Sequence, residues 1–169
     1  DGYIYALEAA TGDLKWRFRA APVERRIPVY GNLPSPWPVH TGVLVHDGVA
    51  YAVAGIIDYD GTYLYALDAK TGEIIWQNNS SGQLDPDLRK GVSAHGDLTI
   101  ADGRLWMPGG NVISPAAYDL KTGEYLGNSP GDGSPQGNRG EEIGIFRGKH
   151  VVLGGRLRFS PIENVVNPG

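Results

Sequence analysis

The chain has 169 residues, a formal net charge of −4, 41% apolar residues, 25 glycines, 12 prolines and no cysteine. That length suits one domain with a core, and the glycine and proline content favours many short strands joined by turns over helices. Without cysteine there is no disulfide, thiolate metal site, covalently attached haem or cysteine nucleophile; no basic stripe stands out to bind nucleic acid, and no apolar run approaches the ~18 residues of a membrane span. The chain opens at Asp1 without a signal segment, so any targeting sequence is expected to have been removed or to lie outside these residues.

The first predicted element is a hairpin over 3–18, YIYALEAATGDLKWRF. In Asp13 to Arg19 the pattern alternates strictly. Leu14, Trp16 and Phe18 take one face, and Lys15, Arg17 and Arg19 the other, as in a half-buried outermost strand. A long loop follows over 20–40. Its stretch PSPWP (Pro34 to Pro38) is stiffened by three prolines, which fix φ. Strands are then expected at 41–46 and 49–55, joined by Asp47-Gly48, a pair suited to a two-residue turn with φ > 0 at both positions. Val49 to Gly55 is apolar on both faces, as a strand sandwiched between two layers should be. After Asp60-Gly61, read as a turn, strands are expected at 62–68 and 73–79. The second half repeats the order: strands at 96–101 and 104–108 around Asp102-Gly103, then at 115–119 and 124–127. A final pair over 143–154 turns at Arg147-Gly148, and the tail RLRFSPIENVVNPG has no clear reading.

Two units therefore recur. One is the tight X-Gly hairpin. The other is a Thr-Gly hairpin, written YIYALEAATGDLKW (3–16), YLYALDAKTGEIIW (63–76) and AAYDLKTGEYLG (116–127). Its glycines, Gly12, Gly72 and Gly123, suit the left-handed conformation, and Asp68 is placed to accept backbone N–H groups in the turn. Internal repetition of four antiparallel strands is the pattern of a β-propeller blade.

At these residues the chain resembles the PQQ-like (quinoprotein-type) β-propellers, through their tryptophan-docking motif A-x-D-x-x-T-G-x-x-x-W. Ala66, Asp68, Thr71, Gly72 and Trp76 match it in full. Ala6, Glu8, Thr11, Gly12 and Trp16 match with Glu for Asp. Ala117, Asp119, Thr122 and Gly123 match, with Gly127 where Trp belongs. The resemblance implies an all-β propeller in which the Trp packs on the neighbouring blade's motif and its indole N–H reaches a main-chain carbonyl there. The expected division is a part-blade over 1–19, blades over 41–79 and 96–127, and a part-blade over 143–169. That makes about three blades of a larger propeller, whose remaining blades would be partners.

Strand order sorts the connections by face. The X-Gly and Thr-Gly turns lie on one side. The long segments 20–40, 56–61, 80–95, 109–114 and 128–142 lie on the other, which is the expected functional face. There Trp37 either lines the channel mouth and stacks on a planar ligand or sugar, or simply covers the blade. Arg25 and Arg26 either pair with a carboxylate or phosphate, or are solvated. His40 and His95 fall near the starts of successive innermost strands, as scattered structural histidines or as neighbours able to bind metal or move protons. His46 and His150 lie at the opposite turns. Asp58 and Asp60 form only part of a calcium loop. The glycine-rich 131–142 has no following helix to serve a nucleotide, and Glu141 and Glu142 point to opposite faces of a strand.

The resemblance implies two functions. One is a non-catalytic binding or scaffold module of the bacterial envelope, periplasmic or secreted. It would resemble the assembly-factor lipoproteins of the outer-membrane β-barrel machinery and bind a protein or glycan, with no cofactor. The other is a PQQ- and calcium-dependent alcohol or sugar dehydrogenase, whose vicinal cysteine pair is missing here. The first is favoured.

Overall fold

In a computed structural model, residues 1–84, 91–109, 115–128 and the strands Glu142–Phe146, Lys149–Gly154 and Leu157–Pro161 are described. Thirteen strands form four antiparallel sheets among these residues. The first sheet is β1 (Tyr3–Leu7) with β2 (Leu14–Arg19). The second is β3 (Val43–His46), β4 (Val49–Ala54), β5 (Tyr63–Asp68) and β6 (Ile74–Asn78), in that spatial order. The third repeats it with β7 (Thr99–Ala101), β8 (Arg104–Met107), β9 (Ala116–Asp119) and β10 (Tyr125–Asn128). The fourth holds β11 (Glu142–Phe146), β12 (Lys149–Gly154) and β13 (Leu157–Pro161). β13 lies in the tail that the sequence left unread. No helix of the described residues is long and apolar enough to cross a membrane.

The tight hairpins take the expected backbone. Asp47 and Gly48 sit at φ 48° and 78°, and Asp102 and Gly103 at 52° and 68°, the left-handed pair that matches strand twist. The turn at Arg147-Gly148 lies outside the described residues. The three Thr-Gly turns share one hydrogen-bond pattern. Gly12, Gly72 and Gly123 donate to the carbonyls of Glu8, Asp68 and Asp119 at 2.7, 2.8 and 2.9 Å. All three glycines are left-handed, at φ 79°, 78° and 73°. The side chains differ. Asp68 Oδ1 accepts from the backbone N–H of Lys70 (2.9 Å) and Thr71 (2.8 Å), and Asp119 Oδ1 does the same for Lys121 and Thr122. These bonds hold both carboxyls below the usual range. Glu8, one methylene longer, instead pairs with Lys15 at 2.5 Å.

The core lies between sheets, and the two-residue period of the strands builds it. On β4, Ala50, Ala52 and Ala54 face the first sheet, while Tyr51 and Val53 face the third. On β5, Tyr65 and Leu67 face the first sheet, and Leu64 and Ala66 the third. Small alanines on β4 leave room for the Phe18 and Tyr65 rings, which meet edge-on with centroids 5.0 Å apart. Burying each leucine contributes about 1.5–3 kcal/mol, and Leu64, Leu67 and Leu105 are completely buried. The alternation read on β2 holds for Trp16 and Phe18, which pack into the first of these layers. Leu14 does not follow it: at 58% exposure it pairs with Leu7 beyond a bulge that leaves Lys15 unpaired and breaks the alternation.

Two indoles cross the sheet boundaries. Trp16 Nε1 donates to Ala69 O (3.2 Å), and Trp76 Nε1 to Leu120 O (3.1 Å). Ala69 and Leu120 are the equivalent residues of successive Thr-Gly turns, each following the turn's aspartate. The rings lie on Gly72 and Gly123, where a Cβ would collide with them. Asn78 Nδ2 adds a bond to Gly123 O (2.8 Å) at the second boundary.

Candidate functional site

Opposite the short turns, the long connections form an interlocked surface. Loop 20–42 begins by folding over β1, with the N–H groups of Ala20 and Ala21 both on Gly2 O at 2.9 and 3.0 Å. A Cβ on Gly2 would strike Ala21, so only glycine lets the two segments touch. The loop then projects outward. Ile27 N donates to Pro34 O (3.0 Å), and Val29 and Asn32 exchange both backbone bonds at 2.9 Å. The two residues between them, Tyr30 and Gly31, have φ 45° and 80°. This is a miniature hairpin with a tyrosine at its tip. Tyr30 is fully exposed, with Leu33 at 63% beside it. Positive φ is unusual for a bulky residue and marks a constrained position.

The loop returns through Trp37. Its backbone N–H bonds Ser35 Oγ (3.1 Å), its indole N–H bonds Asp60 O (2.6 Å), and its ring stands edge-on to Tyr63. Trp37 therefore packs against the core layer between the first two sheets. Its polar handle is engaged.

The segment 55–62 holds a short 3₁₀ turn, Asp58–Asp60, where the sequence reading placed a turn at Asp60-Gly61. It is tied to the next loop. Asp58 N donates to Ser93 Oγ (3.1 Å), Thr62 Oγ1 to Val92 O (2.5 Å), and Val92 N to Ser81 O (2.9 Å). Ser81 Oγ meets the Tyr118 hydroxyl at 2.9 Å, and Asn78 Oδ1 accepts from Ser80 and Ser81. Burial drives the Tyr118 hydroxyl far above its usual pKa, so it stays protonated and serves as a hydrogen-bonding strut. These partners leave the described loops well braced.

His40 and His95, read as either scattered or neighbouring histidines, lie near enough for the charge of one to act on the other. Protein crowded around His40 lowers its pKa, and the nearby charge of His95 lowers it further, against the pull of the Pro38 and Ala94 carbonyls. His40 still keeps an exposed surface. An open groove of about 300 Å³ is lined by Thr41 to Leu44 and by Asp97 and Leu98. Among the described residues, no group of three His, Cys, Asp or Glu side chains could hold a metal ion.

Arg25 and Arg26 are brought together with residues the sequence reading left aside. They line a shallow pocket with Tyr3, Arg19 and Glu24. Arg26 donates to Leu33 O at 3.4 Å, and both arginines are exposed. Arg19 and the Tyr30 tip carried readable signals: strict strand alternation, and a Tyr-Gly pair between extended residues. The segments 85–90, 110–114 and 129–141, which hold much of the remaining loop length and Glu141, lie outside the described residues.

The family model described as outer membrane protein assembly factor BamB matches residues 1–166. Among curated proteins, the polyvinylalcohol dehydrogenase of Sphingopyxis sp. is 33% identical over 107 residues, which is 63% of this chain and 14% of that protein. The dehydrogenase subunit of the quinone alcohol dehydrogenase of Gluconacetobacter polyoxogenes is 30% identical over 142 residues, 73% of this chain and 18% of that one. The chain thus spans less than a fifth of these relatives. Among solved structures, BamB from Moraxella catarrhalis superposes with a TM-score of 0.62 at 19% identity, over 99% of this chain and 42% of that one. A quinohemoprotein alcohol dehydrogenase from Pseudomonas putida HK5 gives 0.60 at 17% identity, over 94% and 30%. At such identities the structures speak to fold alone. Four-stranded antiparallel sheets, the repeated Thr-Gly turn and the match over 1–166 place this chain in the PQQ-like β-propeller family whose model is described as outer membrane protein assembly factor BamB.

Proposed function

We propose that this chain forms part of a non-catalytic propeller of the bacterial envelope that binds a protein partner through its long-loop face. The observation that carries this reading is the Tyr30 hairpin. A fully exposed tyrosine at positive φ, flanked by Leu33 and followed by a braced loop, is a preorganised contact. Tyrosine and arginine are the residue types most enriched at binding hot spots. The Thr-Gly-Trp units, in this reading, dock one blade on the next and supply only rigidity. The outer-membrane protein assembly machinery is the partner class suggested by the family description, in a periplasmic setting.

A second reading, a PQQ- and calcium-dependent dehydrogenase, is favoured by one observation: the curated relatives above carry dehydrogenase names. The whole protein, incubated with PQQ and Ca²⁺, separates the two. The binding reading expects no quinone absorbance retained after gel filtration and no dye-linked oxidation of ethanol or polyvinyl alcohol. Turnover would overturn it.

A further inference from the structure

Trp16, Trp76 and Gly127 hold one position in three successive sheets. Each pairs with the alanine of its own Thr-Gly unit: Trp16 with Ala6, Trp76 with Ala66, Gly127 with Ala117. At the first two, the indole N–H reaches the next sheet's turn and the ring lies on its glycine. At the third there is no side chain to do either. Gly127 has φ 100°, and a Cβ there would meet nothing within 4 Å. A tryptophan would be strained on that backbone, so the strand itself departs from the pattern.

The chain has four tryptophans, and each indole N–H has its acceptor. Trp16 and Trp76 tie the first sheet to the second and the second to the third. Trp37 donates to Asp60 O, and Trp106 donates to Ala101 O at 3.3 Å, inside its own hairpin. No indole N–H therefore crosses from the third sheet to the fourth. The inner part of that boundary is closed. Trp106 and Ala117, on the faces of β8 and β9 opposite the core shared with the second sheet, are buried. Thr99 Oγ1 of β7 donates to Ile143 O of β11 at 3.4 Å.

We propose that the boundary between the third and fourth sheets is a hinge, closed along β7 and β11 and able to part at its outer margin. Parting either of the first two boundaries would strand an indole N–H and the carbonyl it bonds, and would unseat the ring. The third–fourth boundary parts without that cost at the margin farthest from the inner strands, where a small rotation separates the sheets most. The first three sheets then move as one body, and the fourth swings against them. Elements that move are drawn from the least stable contacts of a fold, and such swings turn on a few positions while the packed pieces stay rigid. Position 127 lies inside the chain, so the missing tie does not depend on where the sequence begins or ends. The hinge also stands apart from the partner-binding reading: either can fail alone.

The test is double electron–electron resonance on the whole protein, spin-labelled at pairs of introduced cysteines. These residues contain no cysteine, and any beyond them are changed to serine. Lys70→Cys/Arg104→Cys spans the second–third boundary, from a Thr-Gly turn to the first residue of β8. Lys121→Cys/Lys149→Cys spans the third–fourth boundary in the same way, ending at the first residue of β12. The expected result is one narrow distance distribution for the first pair, and for the second a broader one with an added longer component. A third pair at the inner strands, Asp97→Cys/Glu142→Cys, should stay narrow. Trp76→Gly should raise the longer component of the first pair roughly tenfold and leave the second pair unchanged. Should that variant not fold, Trp76→Phe keeps the ring, loses the N–H and carries the comparison, with a rise of about fivefold. Equal widths for the first two pairs in the parent, broadening of the inner pair, or a first pair that stays narrow in a folded Trp76 variant would each overturn the hinge.

Discussion

Gly48 and Gly72 offer a controlled comparison of the inter-sheet contact. Both are left-handed turn glycines of the second sheet, each at φ 78°. A Cβ on Gly48 meets nothing within 4 Å, whereas a Cβ on Gly72 lies 2.7 Å from the Trp16 ring. Alanine at either site suffers the left-handed backbone, a destabilisation of about 1–2 kcal/mol. Gly72→Ala must also displace an indole bonded to Ala69 O, which adds about 1–3 kcal/mol of overpacking and weakened hydrogen bonding. The expected order in urea melts of the whole protein is therefore parent, Gly48→Ala, Gly72→Ala, with the last two separated by about 1–3 kcal/mol. In a Trp16→Ala background the extra loss at Gly72 should vanish, because nothing remains to be struck. Equal destabilisation by the two alanines, or an excess at Gly72 that survives removal of Trp16, would refute the claim that the turn glycine is the seat for the neighbouring indole.

Two further outcomes are expected. Asn78 is buried and bonds Gly123 O, Ser80 N and Ser81 N; Asn78→Ala strands those groups and should destabilise by about 1–3 kcal/mol in the same melts, whereas no change would mean that the bonds are replaced by water. His40 should titrate below its usual 6.5 by NMR, and His95→Asn should raise it part of the way, since crowding by the protein remains. Folding here favours the neutral ring, so its contribution to stability is complete above 6.5 and is lost as pH falls through the lowered folded value; an unmoved His40 in the His95 variant would separate the two residues.

The strands were readable because their signals are local. Asp-Gly and Thr-Gly turns, alternation on β2 and two-sided apolarity on β4 each sit within a few residues, and the observed boundaries fall within three residues of the expected ones. β3 starts late because Gly42 turns away at φ 73°. Less was readable at the loop face. That Trp37 spends its indole on Asp60, 23 residues away, depends on how two loops meet. Arg19 is legible only as one of the charges on the outer face of an outermost strand, yet strand pairing and the course of loop 20–42 bring it beside Arg25 and Arg26. The Glu8 substitution was visible, but its new partner Lys15 follows from turn geometry.

The inter-sheet indole bonds sit at one margin of the first two sheets, on β2 and β6. The opposite margin is sparsely packed: Val43 and Val45 of β3 are 44% and 61% exposed, and β7 meets β11 with Thr99 Oγ1 on Ile143 O at 3.4 Å. Mechanical duty is thus carried at the perimeter. The strands on the other side, relieved of it, have latitude to change residue by residue without loosening the frame.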